Sequence, residues 1–64
     1  MSEELGRRIR EIRVRLVLTQ EEAAVELGIN PCSLQVYEVG KALPRPARRR
    51  AILAWLVEHE RTAA

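Results

Sequence analysis

The chain has no phenylalanine, and Tyr37 and Trp55 are its whole aromatic complement. Its core must be assembled from Leu, Ile, Val and Ala, which suits packed helices better than a sandwich of sheets. Cys32 is alone, which excludes an internal disulfide framework and a cysteine-built zinc site. Glycine and proline stand at three each, too few for a collagen-like or low-complexity chain. The longest apolar run, Ala51 to Val57, is far short of the ~20 residues that a membrane span requires. The opening Met-Ser-Glu-Glu-Leu lacks the apolar stretch of a signal peptide. A soluble protein in a reducing, cytoplasmic setting is the expectation.

Groups that do chemistry are equally scarce. No glycine-rich phosphate loop, nucleophile elbow or paired-carboxylate arrangement is present, so no enzyme is expected. His59 lies between Glu58 and Glu60, but side chains adjacent on a helix diverge, so neither a metal nor a cofactor is expected.

What is present is charge, and it is segregated. Residues 1–18 carry five Arg against three Glu, and residues 19–40 carry four Glu and no base. Lys41, Arg45, Arg48, Arg49 and Arg50 follow within residues 41–50 with no acid among them. One strongly positive zone on a small protein is the electrostatic footprint of a nucleic-acid binder. A solvated basic face is the plainer alternative. At 64 residues the chain makes a single domain, 1–64, and a domain of this size hides only ~60% of the surface of its unfolded form. With neither staple nor metal, such a domain often gains stability by dimerising.

The periodicity is helical throughout. Leu5, Ile9, Ile12 and Leu16 share one face of a first helix over roughly residues 3–16, with Arg13 and Arg15 favourably placed in its last turn. Thr19-Gln20-Glu21-Glu22 is a capping box that opens a second helix over 20–27, which Gly28 closes. Asn30 is a favoured cap and Pro31 is pre-set for a first helical position, so a third helix runs over 30–39 and ends at Gly40. A loop holding Pro44 precedes a terminal helix over about 47–60, with Ile52, Leu53, Trp55 and Leu56 as its apolar members. The expected fold is all-α, with four to five short helices around one small core and a helix-turn-helix at about 19–40. In such a unit the second helix is presented to the DNA major groove while the first crosses the backbone. Ala24 is small enough to let the two helices cross closely.

The run Leu18-Thr19-Gln20-Glu21-Glu22-Ala23-Ala24-Val25-Glu26-Leu27-Gly28-Ile29-Asn30, then Leu34-Gln35-Val36-Tyr37-Glu38-Val39-Gly40-Lys41 and Pro44, resembles the Cro and lambda-type phage repressor helix-turn-helix domains, the xenobiotic-response-element-like regulators. With Leu5, Ile9 and Arg13 the resemblance covers about residues 5–46. It implies a lambda-repressor-like DNA-binding domain acting as a transcriptional regulator on double-stranded DNA. Gln20, Asn30 and Lys41 match the family's phosphate-contacting positions, and the Lys41–Arg50 zone adds Arg45 and Arg48. Arg13 and Glu38 match an internal ion pair tying the first helix to the third. Positions that read base edges fall on Pro31, Cys32, Ser33 and Val36, with Gln35 nearby.

Several departures bear on function. Of the base-facing set only Ser33 and Gln35 hydrogen-bond well, while Pro31, Cys32 and Val36 are suited to thymine methyl groups. Val39 stands where a polar residue is commoner, and Val17 replaces the glycine that usually closes the first helix. Two functional classes follow. One is a homodimeric, repressor-like regulator, with Ile52, Trp55 and Leu56 either core or dimer contact, the dimer being favoured since an indole near the end of so short a chain needs covering. The other is a helix-turn-helix fold used as a protein-interaction module through an apolar face built on Cys32, Val36 and Val39.

Overall fold

The computed structural model describes residues 2–62, and the side chains of residues 4–61; Met1, Ala63 and Ala64, the ends of the expected domain, lie outside the described residues. Four helices follow one another: α1 (Ser2–Arg15), α2 (Gln20–Leu27), α3 (Pro31–Glu38) and α4 (Pro46–Thr62). No strand occurs among the described residues. The first helix is shifted one residue toward the N-terminus from the expected 3–16, α3 is one residue shorter at each end than 30–39, and the terminal helix is longer than 47–60. Asn30 and Val39 flank α3 as its caps, and Pro46 takes the first position of α4.

Local chemistry fixes where each helix starts. The Thr19 hydroxyl accepts from the backbone N–H of Glu22 at 3.0 Å, and the Glu22 carboxylate accepts from the N–H of Thr19 at 2.9 Å. Asn30 Oδ1 accepts from the N–H of Cys32 at 2.8 Å, and Pro31 has no N–H to satisfy. Each of the first three helices then closes with the same paired backbone bonds. Ile29 N donates to Ala24 O and Gly28 N to Val25 O; Lys41 N donates to Val36 O and Gly40 N to Tyr37 O. Leu18 N donates to Arg13 O and Val17 N to Val14 O in the same way after α1. This closure needs one residue with positive φ, supplied by Gly28 at 71°, Gly40 at 78° and, against its β-branched nature, Val17 at 58°.

One core results. Leu5, Ile9 and Ile12 of α1 meet Ala23 and Ala24 of α2, Leu34 and Tyr37 of α3, and Ile52, Trp55 and Leu56 of α4. The last three therefore take the core alternative rather than the favoured dimer contact: Ile52 and Leu56 are 0% exposed and Trp55 only 8%, all within one chain. The reason is physical. Without an apolar face of α4 over them, the stripes of α1 and α2 would lie open, and the indole finds its polar partner internally. Trp55 Nε1 donates to Glu26 Oε1 of α2 at 3.0 Å. The His59 ring packs on the indole, with centroids 4.7 Å apart, and its Nδ1 lies 2.8 Å from Trp55 O.

The middle of α1 and the last turn of α4 are joined by charge. Arg8 Nε and Nη2 donate to Glu60 at 3.0 and 2.8 Å, a two-pronged contact. The hydrogen bond from Arg8 holds the Glu60 carboxyl below its ordinary value, against a smaller opposing effect of desolvation.

Candidate nucleic-acid interface

The orientation of α3 is set from its inner face. Leu34 is fully buried and Tyr37 nearly so, while the Glu38 carboxylate, with a side chain only 4% exposed, is gripped from two other helices. Arg13 of α1 donates to it through Nε at 2.7 Å and Nη2 at 3.2 Å, and its Nη1 reaches Leu18 O at 3.1 Å. Gln20 of α2 adds a bond from Nε2 to Glu38 Oε1 at 3.3 Å. A planar guanidinium matching both carboxylate oxygens fixes direction as well as distance. Close approach of α1 to the end of α3 completes the clamp, because Gly6 sits against the carbonyl groups of Tyr37 and Glu38.

With that face anchored, the opposite face of α3 is open. Cys32 and Gln35 are exposed, and Pro31, Ser33 and Val36 are half-buried. These residues separate onto two grooves. The groove beside α2 is lined by Pro31, Cys32 and Gln35 together with Arg13, Thr19, Gln20 and Glu21. The groove beside the start of α4 is lined by Cys32, Ser33, Val36 and Tyr37, with Ala42, Leu43, Arg45, Ala47 and Arg48 across from them. Cys32 is the ridge between them.

The residues expected to meet phosphate are placed unequally. Lys41, Arg45 and Arg48 are exposed, and the latter two adjoin the outer face of α3. Arg48 Nη1 donates to the Tyr37 hydroxyl at 3.2 Å, which tethers the guanidinium to the base of α3. Asn30 is exposed, its side-chain oxygen occupied as a helix cap. Gln20 is half-buried and spends its amide on Glu38, so it is first a structural contact. The α2 N-terminus also has Glu21 and Glu22 in its first turn, which favours the helix dipole but opposes a second anion there.

The first turn of α4 is the reverse case. It has no acid, Arg48, Arg49 and Arg50 crowd it, and the carbonyl of Arg45 accepts from Arg49 N at 2.7 Å. Positive charge at the positive end of a helix destabilises it. This basic turn lies beside the open face of α3.

Three features were not singled out from the sequence: the Tyr37 tether on Arg48, the exposed Leu43 on the groove wall, and Gly6. Tyr37 and Leu43 gave no local signal beyond their apolar character. Among the described residues no cluster of three potential metal ligands occurs, and no helix is long and apolar enough to cross a membrane.

A family model for the helix-turn-helix domain matches residues 4–56, from the first turn of α1 to Leu56 in α4. No curated protein and no solved structure gives a significant match. The matched span contains the capped α2–α3 unit, the Arg13–Glu38 clamp and the whole core. The chain belongs to the helix-turn-helix domain family of Cro- and xenobiotic-response-element-like regulators.

Proposed function

We propose that the protein is a transcriptional regulator, repressor-like in action, that lays α3 in the major groove of double-stranded DNA and acts by binding rather than catalysis. The observation that carries this reading is the uncompensated basic turn of α4 beside the open face of α3. Lys41, Arg45 and Arg48 hold the phosphate backbone, and Asn30 assists at the start of α3. Pro31, Cys32, Ser33, Gln35 and Val36 face the bases. The protein works in the cytoplasm, on the nucleoid, as a homodimer whose α3 helices lie about one DNA turn, ~34 Å, apart. With Ile52, Trp55 and Leu56 committed to the core, the α4 residues left for a two-fold contact are Leu53 and Val57.

Duplex binding measured against salt tests this. Affinity falls steeply as salt rises, and Lys41→Gln or Arg48→Gln each lowers the log–log slope by about 1, since each released counterion contributes ~0.9. Absence of duplex binding at low salt overturns the reading. Sedimentation of the protein with a selected duplex tests the two-copy stoichiometry.

A second reading is favoured by one observation: Val39 and Val25 are 57% and 80% exposed on the two helices of the unit. Under it the fold is a protein-interaction module. Retention of a partner protein by the parent but not by Val39→Asn, without any duplex binding, is the result that selects it.

A further inference from the structure

We infer that the groove between α3 and the start of α4 reads the C5-methyl group of pyrimidines, so that thymine and 5-methylcytosine are favoured over uracil and cytosine at the contacted positions. This rests on the reading of α3 as the helix that enters the major groove.

The groove walls are apolar where base edges would lie and basic where the backbone would lie. Cys32 and Val36 are one turn apart on α3 and share a face. Leu43 faces them from the following loop, 48% exposed, an aliphatic side chain held out in water rather than folded into the core. Arg45 and Arg48 stand on the same groove and supply charge complementary to a polyanion. Arg48 uses one of its N–H groups on Tyr37, which leaves the guanidinium oriented with donors to spare.

Hydrogen-bonded readout needs a bidentate partner such as Arg on guanine or Gln on adenine. Among side chains on α3, this groove offers the Ser33 hydroxyl, the weakly bonding Cys32 thiol and the Tyr37 hydroxyl, which already accepts from Arg48; none of them is bidentate. A hydroxyl is both donor and acceptor, so it meets the O4 of thymine and the N4 amino group of cytosine equally well. Discrimination between those bases is therefore weak at this groove. The methyl group is the one feature of a pyrimidine edge that Cys32, Val36 and Leu43 contact favourably, by excluding water from it. Gln35, on the other groove, supplies the bidentate capacity for a separate base.

The test begins with a duplex selected from a random pool by the parent protein. That duplex is then remade with uracil at every thymine, with cytosine paired to guanine at the contacted thymines, and with 5-methylcytosine at those same positions. Uracil is expected to weaken binding about four-fold per contacted methyl group, and 5-methylcytosine to exceed cytosine by a similar factor. Leu43→Ala, on an exposed side chain, keeps the fold by circular dichroism and the salt slope but loses part of both differences; Val36→Ala does the same. Equal affinity for thymine and uracil duplexes, and for the cytosine pair, overturns the inference while duplex binding itself stands. Failure to bind any duplex at low salt overturns the DNA reading on which it rests.

Discussion

Gly6 of α1 lies directly beneath the carbonyl oxygen of Tyr37, so close that a side chain there has no room. A Cβ on Gly6 would also stand 2.7 Å from the carbonyl oxygen of Glu38, and both obstacles are backbone rather than a flexible side chain. The contact sets how near α1 approaches the end of α3, and with it the reach of Arg13 to Glu38.

Gly6→Ala is therefore expected to destabilise, although alanine in a helix interior ordinarily gains ~1 kcal/mol over glycine. Overpacking costs typically ~1–3 kcal/mol and here requires the two helices to part. In a domain of this size each kcal/mol moves the melting temperature by roughly 4–8 °C. Thermal denaturation followed by circular dichroism gives the answer, and a melting temperature at or above that of the parent contradicts the packing described.

Removing one side of the Arg13–Glu38 clamp leaves the other charge stranded in a largely enclosed place. Glu38→Ala is expected to cost ~3–5 kcal/mol, enough to unfold most of so small a domain. Replacing both together, Arg13→Met with Glu38→Leu, recovers much of that loss, because two well-packed apolar groups are often no worse than a buried pair. Urea titrations of the three variants check this. A Glu38→Ala protein melting within a degree or two of the parent refutes it.

Much of this architecture is legible in residue order because its signals are local. Thr19 with Glu22, and Asn30 with Pro31, announce helix starts within four residues, and Gly28 and Gly40 mark two of the ends. The features that escaped are set by partners far away in sequence. Arg8 meets Glu60 across 52 positions and Trp55 meets Glu26 across 29. A helix-interior glycine such as Gly6 reads only as poor propensity until the helix crossing it is known. The spacing of Ile52, Trp55 and Leu56 shows an apolar face but not whether the chain itself or a second copy covers it. The positive φ of Val17 contradicts its β-branched character, and the family resemblance alone pointed to a glycine there.

Val17 is also the easiest position to improve. Its side chain is 86% exposed, so its loss forfeits almost no packing. A left-handed conformation costs a side-chain-bearing residue ~1–2 kcal/mol, whereas the added freedom of an unfolded glycine removes ~0.5–1 kcal/mol of the benefit. Val17→Gly is expected to raise stability by up to ~1 kcal/mol, read as a higher urea midpoint with an unchanged slope. A lower midpoint shows that the α1–α2 turn is not strained.

The Arg8–Glu60 pair predicts a dependence on acid. Glu60 has its folded value lowered, chiefly by the hydrogen bond from Arg8, so it binds fewer protons folded than unfolded as the pH falls. Its contribution is in place above its ordinary value of 4.5 and disappears as the pH drops through the lower folded value. The difference in melting temperature between the parent and Glu60→Gln should thus shrink below pH 4.5, and at neutral pH it should shrink with added salt. A difference that grows on acidification reverses the sign and refutes the assignment.

The crowding of Arg48, Arg49 and Arg50 at the head of α4 makes occupancy and rigidity one thermodynamic quantity. On the proposed DNA reading, each phosphate that settles there would remove a repulsion the free protein carries, so the complex would melt later than contact area alone would give. Heating the protein with a duplex is then itself a titration.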